Sequence, residues 1–401
     1  MNAGRPLVGI VLALGLALWS AGCAPPIGSG RDVTSRTIRK GVVHRAILIG
    51  DGPWVVNVLE IDLRNEGLGI RALHALDRVF GLETTSSMAE RSSDSVWQTV
   101  AALNADFFHK DGETVNTQIT DGLYVRAVRP DVDDSGRVVL PRSQFGLTVE
   151  RTPVVDRFVF EGSILMPDSF LSSLASVNVI DTRGFVLYNT HRGVRTPLDS
   201  SRRAVFETGL VRVRDHRDTV VYVVSGPVGR GGALPIPEDG AVLTAYQDSL
   251  WPSDRFLSFG DTVIVVRRMA PDGGEFETLV GGTPRIVLDG ASVAGKEEYM
   301  ERTARSFTFN RHPRTGVGFS RDSTLLYFVT VDGRQESSVG MTLPEFSDLM
   351  ISLGVYQGLN LDGGGSTTMV VEGRVVNNPS DRTGERPVGN CLLLQTKRHI
   401  D

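Results

Sequence analysis

Short runs of β-branched and other apolar residues, broken by glycine-containing turns, recur along the chain and constrain its fold most strongly. The stretch HRAILIGDGPWVVNVLEIDL holds two such runs around Asp-Gly-Pro, which predicts two strands joined by a turn. The 44 glycines favour strands joined by tight turns over a helical protein. Arginines alternate with apolar residues through the middle of the chain (about 140–290), which indicates sheets with one solvated face.

Two segments carry the capping-box pattern that starts a helix. Ser87 and Glu90 predict a short helix. Thr342 and Glu345 predict a second one, whose apolar residues follow helical spacing up to Gly354. We therefore predict the fold class α+β, with mixed, strongly twisted β-sheets and a few packed helices in a single large domain that shares one core.

The N-terminal segment has the layout of an export signal. Arg5 precedes an apolar run over 7–19, and the small residues 20–22 lead directly to Cys23. A charged start and an apolar centre too short to span a bilayer are typical of a signal peptide. A Cys directly after small residues is similar to the lipobox of bacterial lipoproteins. We expect a signal peptide over 1–22, then a lipidated Cys23 with a flexible tether over 23–40, and a folded body over 41–398.

Lipidation would make the mature chain an exported, membrane-anchored lipoprotein of the bacterial cell envelope, on the periplasmic or outer-membrane side. Ordinary secretion with Cys23 trimmed away is the alternative. Cys391 lies in an apolar, strand-like run, so we expect a buried, inert thiol there. Two cysteines cannot build a disulfide framework.

Composition and missing motifs exclude several function classes. The 42 basic and 47 acidic residues leave a net charge of −5. Because there is no excess of basic residues to neutralise a phosphate backbone, no nucleic-acid partner is predicted. The sequence has no HExxH or CxxC pattern, no Gly-Lys-Ser/Thr after its glycine run and no GxSxG elbow. No metal site and no cofactor are predicted.

The run LDGGGST is the sharpest local signal. Asp362 ends a predicted strand, where a carboxylate can orient a substrate or serve acid–base chemistry. Gly363, Gly364 and Gly365 could present amides to an anion, and Ser366 adds a hydroxyl donor. The alternative is a tight glycine turn in which Asp362 bonds its own backbone.

Three further groups of polar residues lie at predicted strand ends. Arg305, Arg311, His312 and Arg314 form a basic cluster that either binds phosphate or is a solvated loop. Asp332 follows an apolar strand beside Arg334, as a functional carboxylate or as a local ion pair. Asn104 and Asp106 follow another strand. They form either a structural corner or a substrate clamp.

At these residues the sequence resembles the phosphodiester glycosidase family, in particular its uncovering-enzyme-like domain. The resemblance is carried by AALNADFF, VGGTPRIVLDG, HPRTGVGF, VTVDGRQ and LNLDGGGSTTMVVEGRVVNNPSD, continuing through ERPVGNCLLL. It implies hydrolysis of the bond between a sugar anomeric carbon and a phosphodiester phosphate, in envelope or exogenous glycans. A phosphate leaving group needs charge neutralisation more than a strong acid.

The resemblance also implies a site assembled from these motifs. Catalytic work would fall to carboxylates and one imidazole: Asp362, Asp332, Asp106 and His312. Substrate binding would fall to Asn104, Arg305, Arg314, Gly363, Gly364, Gly365, Ser366, Asn377 and Arg386. Arg305, His312 and Arg314 would clamp the phosphate, and His312 could donate a proton if it is charged.

Three other functions fit the same residues. A non-catalytic envelope lipoprotein could bind phosphorylated glycans through the same cavity. A phosphodiesterase could cut the P–O bond on the far side of the phosphate. A structural periplasmic module would use its arginines only as surface charges.

Overall fold

The computed structural model describes residues 31–133, 135, 139, 141–198, 204–216, 218–250 and 257–398, without the side chains of 297–299. The predicted signal peptide, the lipidation site at Cys23 and the start of the predicted tether lie outside these residues. The described part contains no helix that is long and apolar enough to cross a bilayer.

The described chain is mostly β, with 48% strand and 12% helix. Strands β1–β12 are, in order, Arg31–Arg39, Val42–Ile49, Trp54–Asp62, Leu68–His74, Trp97–Asn104, Gln118–Thr120, Leu123–Val128, Gln144–Thr148, Pro153–Asp156, Val159–Met166, Phe170–Val177 and Phe185–Tyr188. Strands β13–β25 are Phe206–His216, Thr219–Val224, Gly240–Ala245, Thr262–Ala270, Phe276–Gly281, Arg285–Leu288, Ala291–Ser292, Arg314–Phe319, Leu325–Val331, Gln357–Asn360, Met369–Val371, Arg374–Val375 and Asn390–Lys397. Helices α1–α4 are Thr85–Arg91, Ala294–Met300, Arg305–Phe309 and Leu343–Ser352.

The strands form three sheets. The first has eight strands in the order β1-β2-β3-β21-β20-β22-β18-β19, and the third has five in the order β24-β23-β5-β25-β4. The second has twelve strands, and an additional pairing of β10 with β11 closes part of it into a ring of β10, β16, β14, β13, β15, β12 and β11. Ring closure removes exposed strand edges.

The three sheets share one hydrophobic cluster and therefore belong to one folded body. Leu59 and Phe328 reach this cluster from the first sheet, Phe145 from the second, and Leu103 and Leu392 from the third. Two further clusters lie apart from this shared one, whereas we predicted a single core. One fills the ring of the second sheet, and the other lies between the first sheet and α4.

The α+β prediction is supported only loosely, because the helices are few and short. The capping box at Thr342 and Glu345 is confirmed, since both reciprocal hydrogen bonds form and α4 follows. The capping box predicted to start at Ser87 is wrong by three residues. Thr84 is the actual N-cap and accepts a hydrogen bond from the Ser87 amide, whereas the Ser87 hydroxyl donates to Glu83.

The predicted tether does not extend to residue 40. Residues 31–39 form β1, which pairs along its length with β2. Only Ile38 of this strand is buried. The strand is held by backbone pairing and by Arg36 and Arg39, which both lie 2.9 Å from carboxylate oxygens of Glu372. Composition alone suggested flexibility here because it does not record strand pairing.

Candidate active site

Strand ends from two sheets meet at one place in the fold. In the first sheet, the start of β20 pairs with the end of β21, and β20 also pairs antiparallel with β22, which runs into Asp362. The third sheet contributes the end of β5. There the Asp362 amide donates to the Ala105 carbonyl at 2.8 Å, and Asn104 Nδ2 donates to the Asp362 carbonyl at 2.6 Å. Residues separated by more than 200 positions are thereby brought together.

Asn104 holds this junction in place. Its side chain is 1% exposed. Besides donating to Asp362, it accepts hydrogen bonds at Oδ1 from the Thr315 hydroxyl and from the Thr368 amide, both at 3.0 Å. Because the side chain is used inside the protein, Asn104 positions the segment that carries Asp362, as the structural corner among the two alternatives does.

The three glycines are required by close packing. Gly364 has φ +62°, and its amide donates to the Pro313 carbonyl at 2.9 Å. A Cβ on Gly363 would lie 2.7 Å from the same carbonyl oxygen, and one on Gly365 would overlap the Arg386 guanidinium. The Gly363 amide hydrogen-bonds to the Asp362 carboxylate. The anion that this loop holds in the free protein is thus Asp362 itself.

Asp362 is partly exposed, yet its carboxyl group is poorly solvated. Burial raises its pKa to about 7, and the negative charge of Asp106 raises it further. The Ser366 side chain and the positive charge of Arg386 act in the opposite direction. Near neutral pH this group therefore exists in both protonation states, as a general acid or base requires.

Asp106 is the buried neighbour of Asp362. It is 2% exposed, and burial raises its pKa to about 6. Asn116 binds both carboxylate oxygens at 2.9 Å, through its amide nitrogen and its side-chain Nδ2. Asn390 accepts a hydrogen bond from the Asp106 amide at 2.8 Å. Two carboxyl groups in different environments close to each other are a common acid–base arrangement.

Asp332 lies at the end of β21 and is also buried. Burial raises its pKa to about 6, while hydrogen bonds from the Asn378 amide and the Asn377 side chain lower it. The Asn378 amide is 3.1 Å from both carboxylate oxygens. Asn377 also bonds the backbone of Thr367 and Met369. Asn377 therefore holds the segment that follows the glycine loop, whereas the resemblance implied a role in substrate binding.

Of the two cations near Asp362, Arg386 was implied by the resemblance and Arg334 was not. Arg386 is half-exposed, is held by Asp381 at 2.6 Å, and lies 3.4 Å from the Ser366 hydroxyl. Arg334 was interpreted only as part of a local turn, but its guanidinium would be 3.0 Å from a Cβ placed on Gly364. Its φ of +61° is unusual for a non-glycine residue, and only the structure reveals it.

The predicted phosphate clamp of Arg305, His312 and Arg314 is not assembled in this structure. Arg314 is 1% exposed and donates to the backbone carbonyls of Met341, Phe307 and Asn310. Arg305 is exposed and stacks on the Phe309 ring, 4.8 Å from its centroid. His312 lies beside Arg334, and burial together with Arg314 and Arg334 lowers its pKa, which disfavours the charged form needed for proton donation.

Asn116 is a site residue that no sequence motif indicated. It lies outside the motifs that suggested a site, and its contact with Asp106 depends on the path of the chain between β5 and β6. Among the residues that the structure describes, no group of three or more His, Cys, Asp or Glu side chains is placed to hold a metal ion. Cys391 is buried, and burial raises the pKa of its thiol.

Gly365→Ala tests the tight packing of the loop. The new Cβ would overlap Arg386 and approach Asp381 Oδ2 to 2.9 Å, so we expect turnover of a suitable substrate to fall by about tenfold or more. Gly295→Ala is the matched control, because a Cβ there meets nothing within 4 Å. Equal activity of both variants with wild type would show that the Arg386 position does not matter.

Parts of the chain are similar to a known family and to several known proteins. Residues 218–395 match the family model described as phosphodiester glycosidase. Over 113 residues the chain is 32% identical to the N-acetylglucosamine-1-phosphodiester alpha-N-acetylglucosaminidase of Bos taurus. The matched stretch covers 26% of this chain and 21% of that protein. Over 97 residues it is 42% identical to an uncharacterized SPbeta prophage-derived protein of Bacillus subtilis, covering 23% of this chain and 15% of that protein. These matches span about a fifth or less of each relative.

Two solved structures share the fold. A hypothetical protein from Synechocystis superposes with a TM-score of 0.70 at 18% identity, over 92% of this chain and 64% of that one. A putative exported protein from Burkholderia pseudomallei gives a TM-score of 0.60 at 23% identity, over 86% and 74% of the two chains. The segment that matches the phosphodiester glycosidase family model, residues 218–395, includes Asp332, Asp362 and Arg386.

Proposed function

We propose that this protein hydrolyses the bond between the anomeric carbon of a sugar and a phosphate oxygen of a phosphodiester. The observation that supports this most directly is the Asp362 carboxyl, placed beside Arg386 with a pKa near neutrality. Cleavage leaves positive charge at the anomeric carbon and negative charge on the departing phosphate. Asp362 provides a carboxylate for the first, and Arg386 and Arg334 provide cations for the second.

The buried Asp106 takes part through Asp362. Its negative charge adds to the effect of burial in raising the pKa of Asp362. Asp362 is the more exposed of the two and is the group that meets substrate. Asp106, fixed by Asn116, contributes to the raised pKa of its neighbour, and Asp332 holds the Asn377–Asn378 segment next to the glycine loop.

Hydrolysis of a defined substrate in labelled water tests this function. The bovine and human relatives carry the name N-acetylglucosamine-1-phosphodiester alpha-N-acetylglucosaminidase, so the methyl phosphodiester of N-acetylglucosamine 1-phosphate is a suitable first substrate. We expect release of methyl phosphate and of sugar that carries the oxygen label. Label in the phosphate would instead indicate a phosphodiesterase, and binding without turnover would indicate a glycan-binding protein.

We also propose that the chain is exported and lipidated at Cys23. The support is the layout of residues 5–23, with its charged start, apolar centre and small residues before the Cys. Palmitate labelling of cells that express the full chain should label the wild type and not Cys23→Ala. The variant should also leave the membrane fraction, and label that persists in the variant would contradict the proposal.

A further inference from the structure

A cavity lies next to Asp106, the buried neighbour of Asp362. It has a volume of about 340 Å³, and Asn116 forms part of its wall. The same Asn116 holds Asp106 through two hydrogen bonds, so the cavity and the candidate active site share one residue as a partition. A volume of this size can hold a single sugar unit.

The cavity has an excess of positive charge. Its lining includes Arg126, Arg129 and Arg142, with Asp131 as the acidic residue. Arg126 is paired with Glu113 at 2.9 Å, and Asp131 is paired with Arg183 at 3.1 Å. The guanidinium groups of Arg129 and Arg142 form no ion pair with any carboxylate of the described residues. Two positive charges are thus left for a ligand.

The wall of the cavity also contains a buried hydrogen-bond acceptor without a partner. Gln144 is 1% exposed and lines the cavity. Its Nε2 donates to the Phe158 carbonyl at 2.8 Å, whereas its Oε1 accepts no hydrogen bond among the described residues. This oxygen has no accessible surface, so it lies inside the wall and does not face the cavity. Apolar side chains of Val128 and Phe158 in the same wall limit water and strengthen the charges.

We propose that this cavity is a second anion subsite, which binds a phosphorylated sugar unit other than the one whose bond is cleaved. Arg129 and Arg142 bind the phosphate oxygens of this unit. The inference rests on the proposed function only in assigning this unit to the same substrate. That substrate then carries at least two phosphates along its chain, as a polymer of sugars joined by phosphodiesters does.

Direct binding tests the subsite without relying on turnover. Glucose 6-phosphate, with glucose as the uncharged counterpart, is titrated calorimetrically into the full chain. We expect binding of the phosphorylated sugar alone, with affinity at least tenfold lower in Arg129→Gln/Arg142→Gln. Arg321→Gln is the matched control, because this exposed Arg stacks on Tyr356 in the turn between β20 and β21, at the end of these strands opposite Asp362.

A second comparison separates the two anion sites. Arg386→Gln removes a cation beside Asp362 and should leave this binding within about twofold of wild type. Affinity that is unchanged in Arg129→Gln/Arg142→Gln, or that is lost only in Arg386→Gln, would overturn the proposal. Single Arg142→Gln, with thermal unfolding measured for each variant, keeps the test valid if the double variant folds poorly.

Discussion

Asp362→Asn should abolish most of the activity, with turnover of a sugar-1-phosphodiester lower by about a thousandfold or more. The side chain keeps its size and its place between the glycine loop and Arg386, but it can no longer ionise. An amide cannot stabilise the positive charge that develops at the anomeric carbon and cannot activate water. Initial rates at saturating substrate for the wild type and the variant measure the effect.

The same substitution should stabilise the fold at alkaline pH. The folded protein raises the pKa of Asp362 from 3.8 to about 7, so it binds this proton more tightly than the unfolded chain does. The free energy of unfolding of the wild type therefore falls as pH rises from about 4 to about 7. At pH 8 we expect Asp362→Asn to be more stable by about 2 kcal/mol, and at pH 4 we expect no difference.

Asp322→Asn is the matched control for both effects. Asp322 is an exposed carboxylate whose pKa is lowered by hydrogen bonds from Ser320 and Thr324. Its charged form is favoured in the fold, so its removal should reduce stability slightly at pH 8 and leave turnover unchanged. If Asp362→Asn retained turnover and behaved like this control in denaturant titrations at the two pH values, Asp362 would be neither desolvated nor catalytic.

The sequence predicted the site best where function and backbone conformation depend on the same residues. Three consecutive glycines after a strand indicated a backbone that could approach a ligand closely, and the close partners in the structure are Pro313 and Arg386. Asn104 bonds both the Asp362 carbonyl and the residue after Arg314, so these three residues lie in one region of the fold. The prediction that these distant residues belong to one site came from the family resemblance. Composition and periodicity do not indicate which distant residues meet.

The side-chain roles were harder to predict, because an Arg in a basic stretch has the same sequence signal whether it binds phosphate or backbone carbonyls. Arg314 lies in β20, and every residue of that strand is buried. Arg386 and Arg334 come close to the glycine loop only because of the paths of the chain after β24 and β21. The ring in the second sheet depends on the pairing of β10 with β11, which no local pattern specifies.

Arg314→Leu should destabilise the fold strongly, by about 3 kcal/mol or more. The buried guanidinium donates to three carbonyls, those of Met341, Phe307 and Asn310, at 2.8, 2.8 and 3.0 Å. Leucine fills part of the volume but leaves these acceptors without partners, and each buried unsatisfied group costs about 1–3 kcal/mol. Burial already lowers the pKa of Arg314 to about 9, which is the sign of a cation held in a poorly solvated place. Denaturant titration at pH 7 measures the change.

Arg305→Leu separates this structural role from the phosphate clamp that the family resemblance implied. Arg305 is exposed and contacts the Phe309 ring, so its replacement should change the free energy of unfolding by no more than about 0.5 kcal/mol. If both arginines bound the phosphate, both variants would raise KM without loss of stability. A stable Arg314→Leu protein with a raised KM would show that Arg314 binds the phosphate. An unstable variant whose remaining folded fraction keeps the wild-type KM would show that Arg314 has a structural role.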